Sequence, residues 1–447
     1  MKWSPALTAL VLLLVLSISA TAEPVQSVPD GRFYITVGDE QICTPYLSNQ
    51  SIDETHPNRD RCVIILPGGS RDIEQVGDWM QQAAFQADAL ETTLLVGIQF
   101  LLETDVDTHL LNDDVVFWDH MAWYNGDVSD SSGHNPRYAR ASSFTFTDSL
   151  VYHIWQLNPH FETFVITGPS AGGKYTQRYA ATNRIETYLA QNDGPPMIYT
   201  TINNGSFVYM DAGRRAIDGT FPEADDLSLT FIPRYNKYPY GLEELNDYSA
   251  ETGSQTIYNQ YRYRWGFYII GELDNGPNSD DQPMALQGYN NIQRNVVYAE
   301  HLTSTYGTDH NHEVIVIEGA DHNTHEIILD PTTWEPLFYF VPPESAVEEE
   351  GNHGGSSTLP QEASLVAYPN PFNPSTNLTV TLPHAGRLKV EVFNVAGQRV
   401  ALLENAQVSA GEHAFTFAPE QQSSGVYFVH VTARGQFSEV RKITLLK

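Results

Sequence analysis

The stretch Gly168-Pro169-Ser170-Ala171-Gly172-Gly173-Lys174-Tyr175-Thr176 follows an apolar run, Phe164-Val165-Ile166-Thr167, and supports two opposed chemistries. One is a phosphate loop running from Gly168 to Gly173-Lys174. The other is a nucleophile elbow, Gly-x-Ser-x-Gly, centred on Ser170. A phosphate loop needs Ser or Thr directly after its lysine to ligate magnesium. Tyr175 stands there instead, with a phenol too long and rigid for the task, and Thr176 comes one residue late. The elbow needs a strand, a sharp turn and a helix, with glycines flanking the serine. Residues 164–167 supply the strand, and Tyr175, Arg178 and Tyr179 begin a helical pattern. Pro169 fits, since it fixes its own φ and pushes Gly168 towards the extended region.

A serine nucleophile needs a base, and the base needs an orienting acid. In folds built around such an elbow these follow in the order Ser, acid, His, each after a later strand. The apolar run 267–270 is followed by Gly271-Glu272-Leu273-Asp274, which makes Asp274 the candidate acid, with Glu272, Asp280 and Asp281 as rivals. The run 314–318 is followed by Gly319-Ala320-Asp321-His322, which makes His322 the candidate base, with His325 as rival. An oxyanion hole needs backbone N–H groups. The Ala171 N–H is one candidate, and Gly69 in Leu66-Pro67-Gly68-Gly69-Ser70 is the other, with Gly68 and Ser70 as rivals. The chemistry expected is acyl transfer: Ser170 attacks, His322 moves the proton, Asp274 fixes the tautomer.

The elements that must position these residues are legible. Apolar runs at 63–66, 93–98, 164–167, 198–202, 267–270 and 314–317 alternate with helical patterns such as 79–90 and 148–157. Such alternation predicts a mostly parallel α/β sheet flanked by helices. Residues 205–263 exceed an ordinary connection and are expected to form a cap or lid. Their eight tyrosines fit a packed cap better than an aromatic platform for a sugar or polymer chain.

These features resemble the α/β-hydrolase superfamily over roughly residues 30–340. A closer resemblance is to a largely uncharacterised group of secreted or membrane-linked α/β hydrolases. Ser142-Ser143-Phe144, the stretch 168–173 with Gln177-Arg178-Tyr179-Ala180, and Asn204-Gly205-Ser206 carry it. So do Tyr238-Pro239-Tyr240-Gly241-Leu242, Gln287-Gly288-Tyr289-Asn290 and Gly319-Ala320-Asp321-His322. Pro169 and Pro67 depart from the pattern, standing where relatives usually carry His. The resemblance implies a serine hydrolase of carboxylic esters, of carboxylesterase or polyesterase type. A peptidase or amidase using the same triad, and a non-catalytic surface binding protein on the same fold, stay open.

Both ends speak of export. Residues 1–22 have the charged, apolar and small-residue order of a secretory signal peptide. The mature catalytic region is expected at 23–342, followed by an acidic Gly/Ser linker at 343–362. Residues 363–447 alternate apolar and polar in short runs, as in an immunoglobulin-like β-sandwich. Tyr368-Pro369-Asn370-Pro371-Phe372-Asn373-Pro374, Val392-Phe393-Asn394-Val395-Ala396-Gly397-Gln398, Ser424-Gly425-Val426-Tyr427 and the closing Lys442-Ile443-Thr444-Leu445-Leu446-Lys447 resemble the type A C-terminal sorting domain of the type IX secretion system. That resemblance implies a Gram-negative host of the Bacteroidetes or a neighbouring phylum, Sec export, and passage across the outer membrane to the medium or the cell surface. The secretion machinery would be the partner.

The formal charge is −31, or −32 without residues 1–22, which repels nucleic acid and anionic lipid. No later segment is apolar enough to anchor the mature chain in a membrane. Cys43 and Cys62 could bridge or stay free. His310-Asn311-His312 reads as a surface loop. The oxygen-rich run Asp274, Asn275, Asn278, Asp280, Asp281 could hold calcium but lacks EF-hand spacing, so no cofactor is expected.

Overall fold

In the computed structural model the chain divides into two units, Met1–Tyr339 and Phe340–Lys447. The described residues are 23–120, 122–215, 232, 234–276, 281–342, 363–370, 372–383, 386–394, 399–419, 422–433 and 437–445. The signal peptide, the linker, Asp280 and part of the cap (216–231 and 233) lie outside them.

The first unit opens with a hairpin, β1 (Gly31–Val37) and β2 (Glu40–Ser48). It is followed by β3 (Arg61–Ile65), α1 (Ile73–Gln86), β4 (Thr93–Ile98), α2 (Glu103–His109), α3 (Ser143–Leu157) and β5 (Thr163–Pro169). Then come α4 (Ala171–Thr182), α5 (Ile185–Gln191), β6 (Met197–Ile202), α6 (Asp247–Thr252), α7 (Ser254–Tyr261) and β7 (Trp265–Gly271). The unit continues with α8 (Gln282–Ala285), α9 (Asn291–Tyr306), β8 (His312–Ile317), α10 (Thr324–Leu329) and α11 (Pro331–Trp334).

Strands β3 to β6 are buried from end to end, because helices cover both faces of such a sheet. The strand order is β1-β2-β4-β3-β5-β6-β7-β8. Neighbours from β4 to β8 are parallel, while β2 is antiparallel to both β1 and β4. This is the α/β-hydrolase arrangement. It sends the carboxyl ends of β3, β5, β7 and β8 to one edge, where sites form in open α/β sheets. The sequence reading passed over β1 and β2 and placed α1 and α3 several residues late. Their starts are set by capping: the Asp72 carboxylate accepts from Gln75 N at 3.0 Å, and Ser142 Oγ from Phe144 N at 3.1 Å.

Behind α4 lies an aromatic core. Tyr175 is stacked on Phe100 at 5.3 Å and met edge-on by Phe144 at 4.8 Å. The residue that closes the phosphate-loop reading is therefore a core residue. Cys43 and Cys62 are both buried and free. They lie on β2 and β3, with β4 between those strands in the sheet.

The second unit is all β. Strands β9 (Ser364–Tyr368), β10 (Thr376–Leu382) and β13 (Gly411–Phe417) make one sheet in the order β13-β10-β9. Strands β11 (Gly386–Asn394), β12 (Arg399–Val408), β14 (Gly425–Ala433) and β15 (Phe437–Leu445) make the other, ordered β12-β11-β14-β15. All pairings are antiparallel. Leu378, Val380, Val390, Val429, Val431 and Ile443 fill its core. The 368–374 motif fastens to β15: Phe372 is buried and donates its N–H to Thr444 O at 2.9 Å. Asn370 accepts from Thr444 N at 2.9 Å and donates to Lys442 O at 3.0 Å.

The loop after β3 is held by a buried ion pair. Arg71 Nε and Nη2 donate to the two Asp105 oxygens at 3.2 and 3.1 Å. The same carboxylate accepts from Val25 N at 2.8 Å and Leu102 N at 2.7 Å, and Arg71 also donates to Glu23 O at 2.9 Å. Removing one partner leaves a buried charge unmatched. Asp105→Ala is expected to destabilise this unit by about 3–5 kcal/mol, read as a lower denaturation midpoint.

Candidate active site

Strand β5 ends at Pro169 and α4 begins at Ala171, so Ser170 occupies the turn. Its φ of +51° and ψ of −104° lie in a region that non-glycine residues avoid, at a cost of roughly 1–3 kcal/mol. Two contacts fix it: Ser170 N donates to Ile202 O at 2.8 Å, and Ser170 O accepts from Lys174 N at 3.1 Å. The flanking glycines are obligatory. A Cβ on Gly172 would lie 2.6 Å from Pro67 O, and one on Gly168 would lie 2.8 Å from Leu66 Cβ and 2.9 Å from Leu66 O. The end of β3 thus packs directly on the elbow.

The same packing brings the Gly68-Gly69 loop beside the serine. A Cβ on Gly68 would sit 3.8 Å from Pro169 Cγ, whereas one on Gly69 would meet nothing within 4 Å. Pro169 therefore borders the loop and pairs with Ile202 as the last residue of β5. Ala171 N is the first N–H of α4, a position with no intrahelical acceptor.

Asp274 follows β7, and its carboxylate is completely buried. Oδ2 meets His322 Nδ1 at 2.7 Å. Oδ1 accepts from Gly276 N at 3.2 Å and Asn291 Nδ2 at 3.1 Å, donors that offset the desolvation of the carboxylate. His322 follows β8 and is 46% exposed, so Nε2 is not sealed in. The hydrogen bond to Asp274 raises its pKa above the ordinary 6.5, outweighing the opposing effect of burial.

The rivals are engaged elsewhere. Glu272 accepts from Gly319 N at 3.0 Å, Asp281 from the Tyr240 hydroxyl at 2.5 Å, and His325 packs on Trp79 at 5.2 Å. Sequence reasoning missed two residues of the site. Asn291, the first residue of α9, holds both Asp274 oxygens, at 3.1 and 3.3 Å. Asn203, after β6, accepts from Gly271 N at 3.1 Å and donates to Asp321 O at 3.4 Å, tying the acid loop to the base loop. Only the proximity of Asn291 to the Gln287–Asn290 stretch hinted at it.

In the cap, Tyr209, Tyr238, Tyr240, Tyr248 and Tyr261 are buried, while Tyr263 is exposed. Two of their hydroxyls bond inward: Tyr238 to Asn125 O at 2.5 Å and Tyr248 to Asp148 at 2.7 Å. An aromatic platform is not formed by these five. His312 is not in a surface loop either: it begins β8, with Nδ1 2.8 Å from the Tyr268 hydroxyl and Nε2 2.8 Å from Tyr261 O.

The strand order makes the first unit an α/β hydrolase by fold. Residues 366–445 match the family model of the secretion system C-terminal sorting domain. The chain is thus an exported, surface-directed protein, and among the described residues no helix is long and apolar enough to cross a membrane. No curated protein matches the chain. Among solved structures it is similar to a poly(3-hydroxybutyrate) depolymerase from Bordetella parapertussis, at 14% identity, TM-score 0.44, over 70% of this chain and 92% of that one. It is also similar to poly(aspartic acid) hydrolase-1 from Sphingomonas sp. KT-1, at 14% identity, TM-score 0.43, over 69% and 97%. A third is an S-formylglutathione hydrolase from Agrobacterium tumefaciens, at 11% identity, TM-score 0.36, over 71% and 99%.

Two outcomes are expected. Gly172→Ala forces Cβ against two backbone oxygens and should cost at least about 1–3 kcal/mol, seen as a lowered melting temperature. In an NMR titration the His322 imidazole should titrate above 6.5, and Asp274→Asn should lower its pKa. The pair stabilises the fold below 6.5, and that contribution is lost as pH rises through the folded pKa of His322.

Proposed function

We propose that the protein is an exported serine hydrolase of carboxylic esters, with Ser170, His322 and Asp274 as its triad. The observation that carries this reading is the 2.7 Å contact between His322 Nδ1 and the buried Asp274 carboxylate, on the strand edge that also presents the strained Ser170. A buried carboxylate fixes the tautomer with the proton on Nδ1, which leaves Nε2 as the base.

His322 Nε2 takes the Ser170 hydroxyl proton as Oγ attacks the ester carbonyl. The tetrahedral oxyanion is assigned to the N–H groups of Ala171 and Gly69, dipoles of the kind that stabilise developing charge. Collapse expels the alcohol, which receives the proton from His322 and leaves an acyl-Ser170. Water, deprotonated by the same imidazole, attacks that ester and releases the acid. Asp274 stays ionised throughout and stabilises the imidazolium. Export favours an extracellular ester, polymeric or carried on a larger molecule, as the physiological substrate.

A panel of p-nitrophenyl esters and polyesters tests the reading. Wild type should turn over esters, Ser170→Ala should lose essentially all turnover, and Asp274→Asn should lose on the order of 10⁴-fold in kcat. The acid limb of kcat/KM should fall above pH 6.5, because only neutral His322 is a base and its pKa is raised. Turnover unchanged in Ser170→Ala would defeat the assignment.

A further inference from the structure

Lys174 and Arg178, four residues apart on α4, form one stripe that starts a turn after Ser170. Helical side chains lean towards the N-terminus, so Lys174 leans towards Ser170. Its surroundings agree. A Cβ on Gly205 would lie 3.7 Å from Lys174 Cε and 3.2 Å from Asn291 Oδ1, the amide that holds Asp274. The Lys174 ammonium lies over the Tyr124 ring at 5.3 Å, and the Arg178 guanidinium over the same ring at 5.4 Å.

These cations are poorly compensated. Arg178 is 1% exposed; among the described residues Nε and Nη1 meet no hydrogen-bond acceptor and Nη2 donates to Ser206 Oγ at 3.1 Å. Arg294, also buried, donates to neutral acceptors: Gly288 O at 3.0 Å, Gly205 O at 3.3 Å and Asn291 Oδ1 at 2.7 Å. Among the described residues none of the three forms an ion pair with a carboxylate. Asp281, the carboxylate that acts on Lys174 electrostatically, is bonded by the Tyr240 hydroxyl. Buried cations are ordinarily paired. A chain with 55 acidic and 24 basic side chains has placed three of its few cations together, one helical turn and more from the nucleophile. Burial and the neighbouring Arg178 and Arg294 lower the Lys174 pKa to about 8.

We propose that Lys174, backed by Arg178 and Arg294, is an anion subsite that selects esters carrying a second, ionised carboxylate a short spacer from the scissile carbonyl. The proposal rests on Ser170 being the nucleophile. Lys174 keeps part of its side chain accessible and meets the substrate carboxylate directly, while the two arginines supply field from below.

Matched pairs test it. Mono-4-nitrophenyl glutarate is compared with its neutral methyl ester for an acid on the acyl side. Acetoxyacetate is compared with methyl acetoxyacetate for an acid on the alcohol side. Wild type should favour the charged member of one pair at least tenfold in kcat/KM. Lys174→Gln should reduce that ratio about tenfold, Lys174→Arg should restore it, and in wild type the ratio should fall as pH climbs through about 8. Calorimetry with glutarate on Ser170→Ala gives a second readout independent of turnover, where binding abolished by Lys174→Gln is expected. A wild-type preference for the neutral member of both pairs, or ratios unmoved by Lys174→Gln, would overturn the subsite and leave the esterase reading intact. Glutarate binding without turnover of any ester would instead overturn the esterase reading, and with it the selection of esters, leaving only an anion site at Lys174.

Discussion

The close approach of the β3 end to the β5–α4 turn governs the rest of the site. With carbonyl oxygens 2.6 and 3.0 Å from where a Gly172 Cβ would stand, the turn admits no side chain on that side. The turn therefore holds Ser170 at φ +51°, and a buried sheet around it prevents relaxation. The same approach sets Gly68 against Pro169, so one packing constraint fixes both the Ser170 turn and the loop beside it. Arg71, anchored on Asp105, keeps that loop from drifting.

Electrostatics complements the geometry. Asp274 is buried, yet it is met by an imidazole, an amide and a backbone N–H, so its charge is directed at His322 and shielded from water. On the opposite account stand Lys174, Arg178 and Arg294, whose charges are not matched by ion pairs among the described residues. A protein whose formal charge is −31 would repel anionic substrates at long range. The proposed subsite gives such a substrate a local reason to bind, and it predicts that selection acts at contact distance, where bulk salt screens least.

What could be read in the sequence was what depends on local pattern. The apolar runs became β3 to β8, the glycines of the elbow marked a close backbone approach, and the acid and base loops followed the strands whose runs announced them. The second unit was legible where period-two alternation marks a strand, in β10, β11, β13 and β14, but not in β12, where Leu402 and Leu403 are adjacent and the pairing with β11 shifts register. Boundaries were less so: α1 and α3 begin at caps, Asp72 and Ser142, several residues before their apolar periodicity is visible. The hairpin β1–β2 was missed because its polar edge dilutes the apolar signal. Asn291 and Asn203 were missed for another reason. Their roles come from contacts across 17 to 118 positions of sequence, and no local pattern records such contacts.

The account turns on Ser170 being an activated nucleophile and not merely a strained turn residue. Active-site labelling with a fluorophosphonate, followed by peptide mapping, measures that directly. Stoichiometric modification of Ser170, slowed at least a hundredfold by His322→Ala in an otherwise folded protein, is the result expected if His322 and Asp274 activate it. No modification of Ser170 in the wild-type protein, or modification at a rate indifferent to His322, would contradict it.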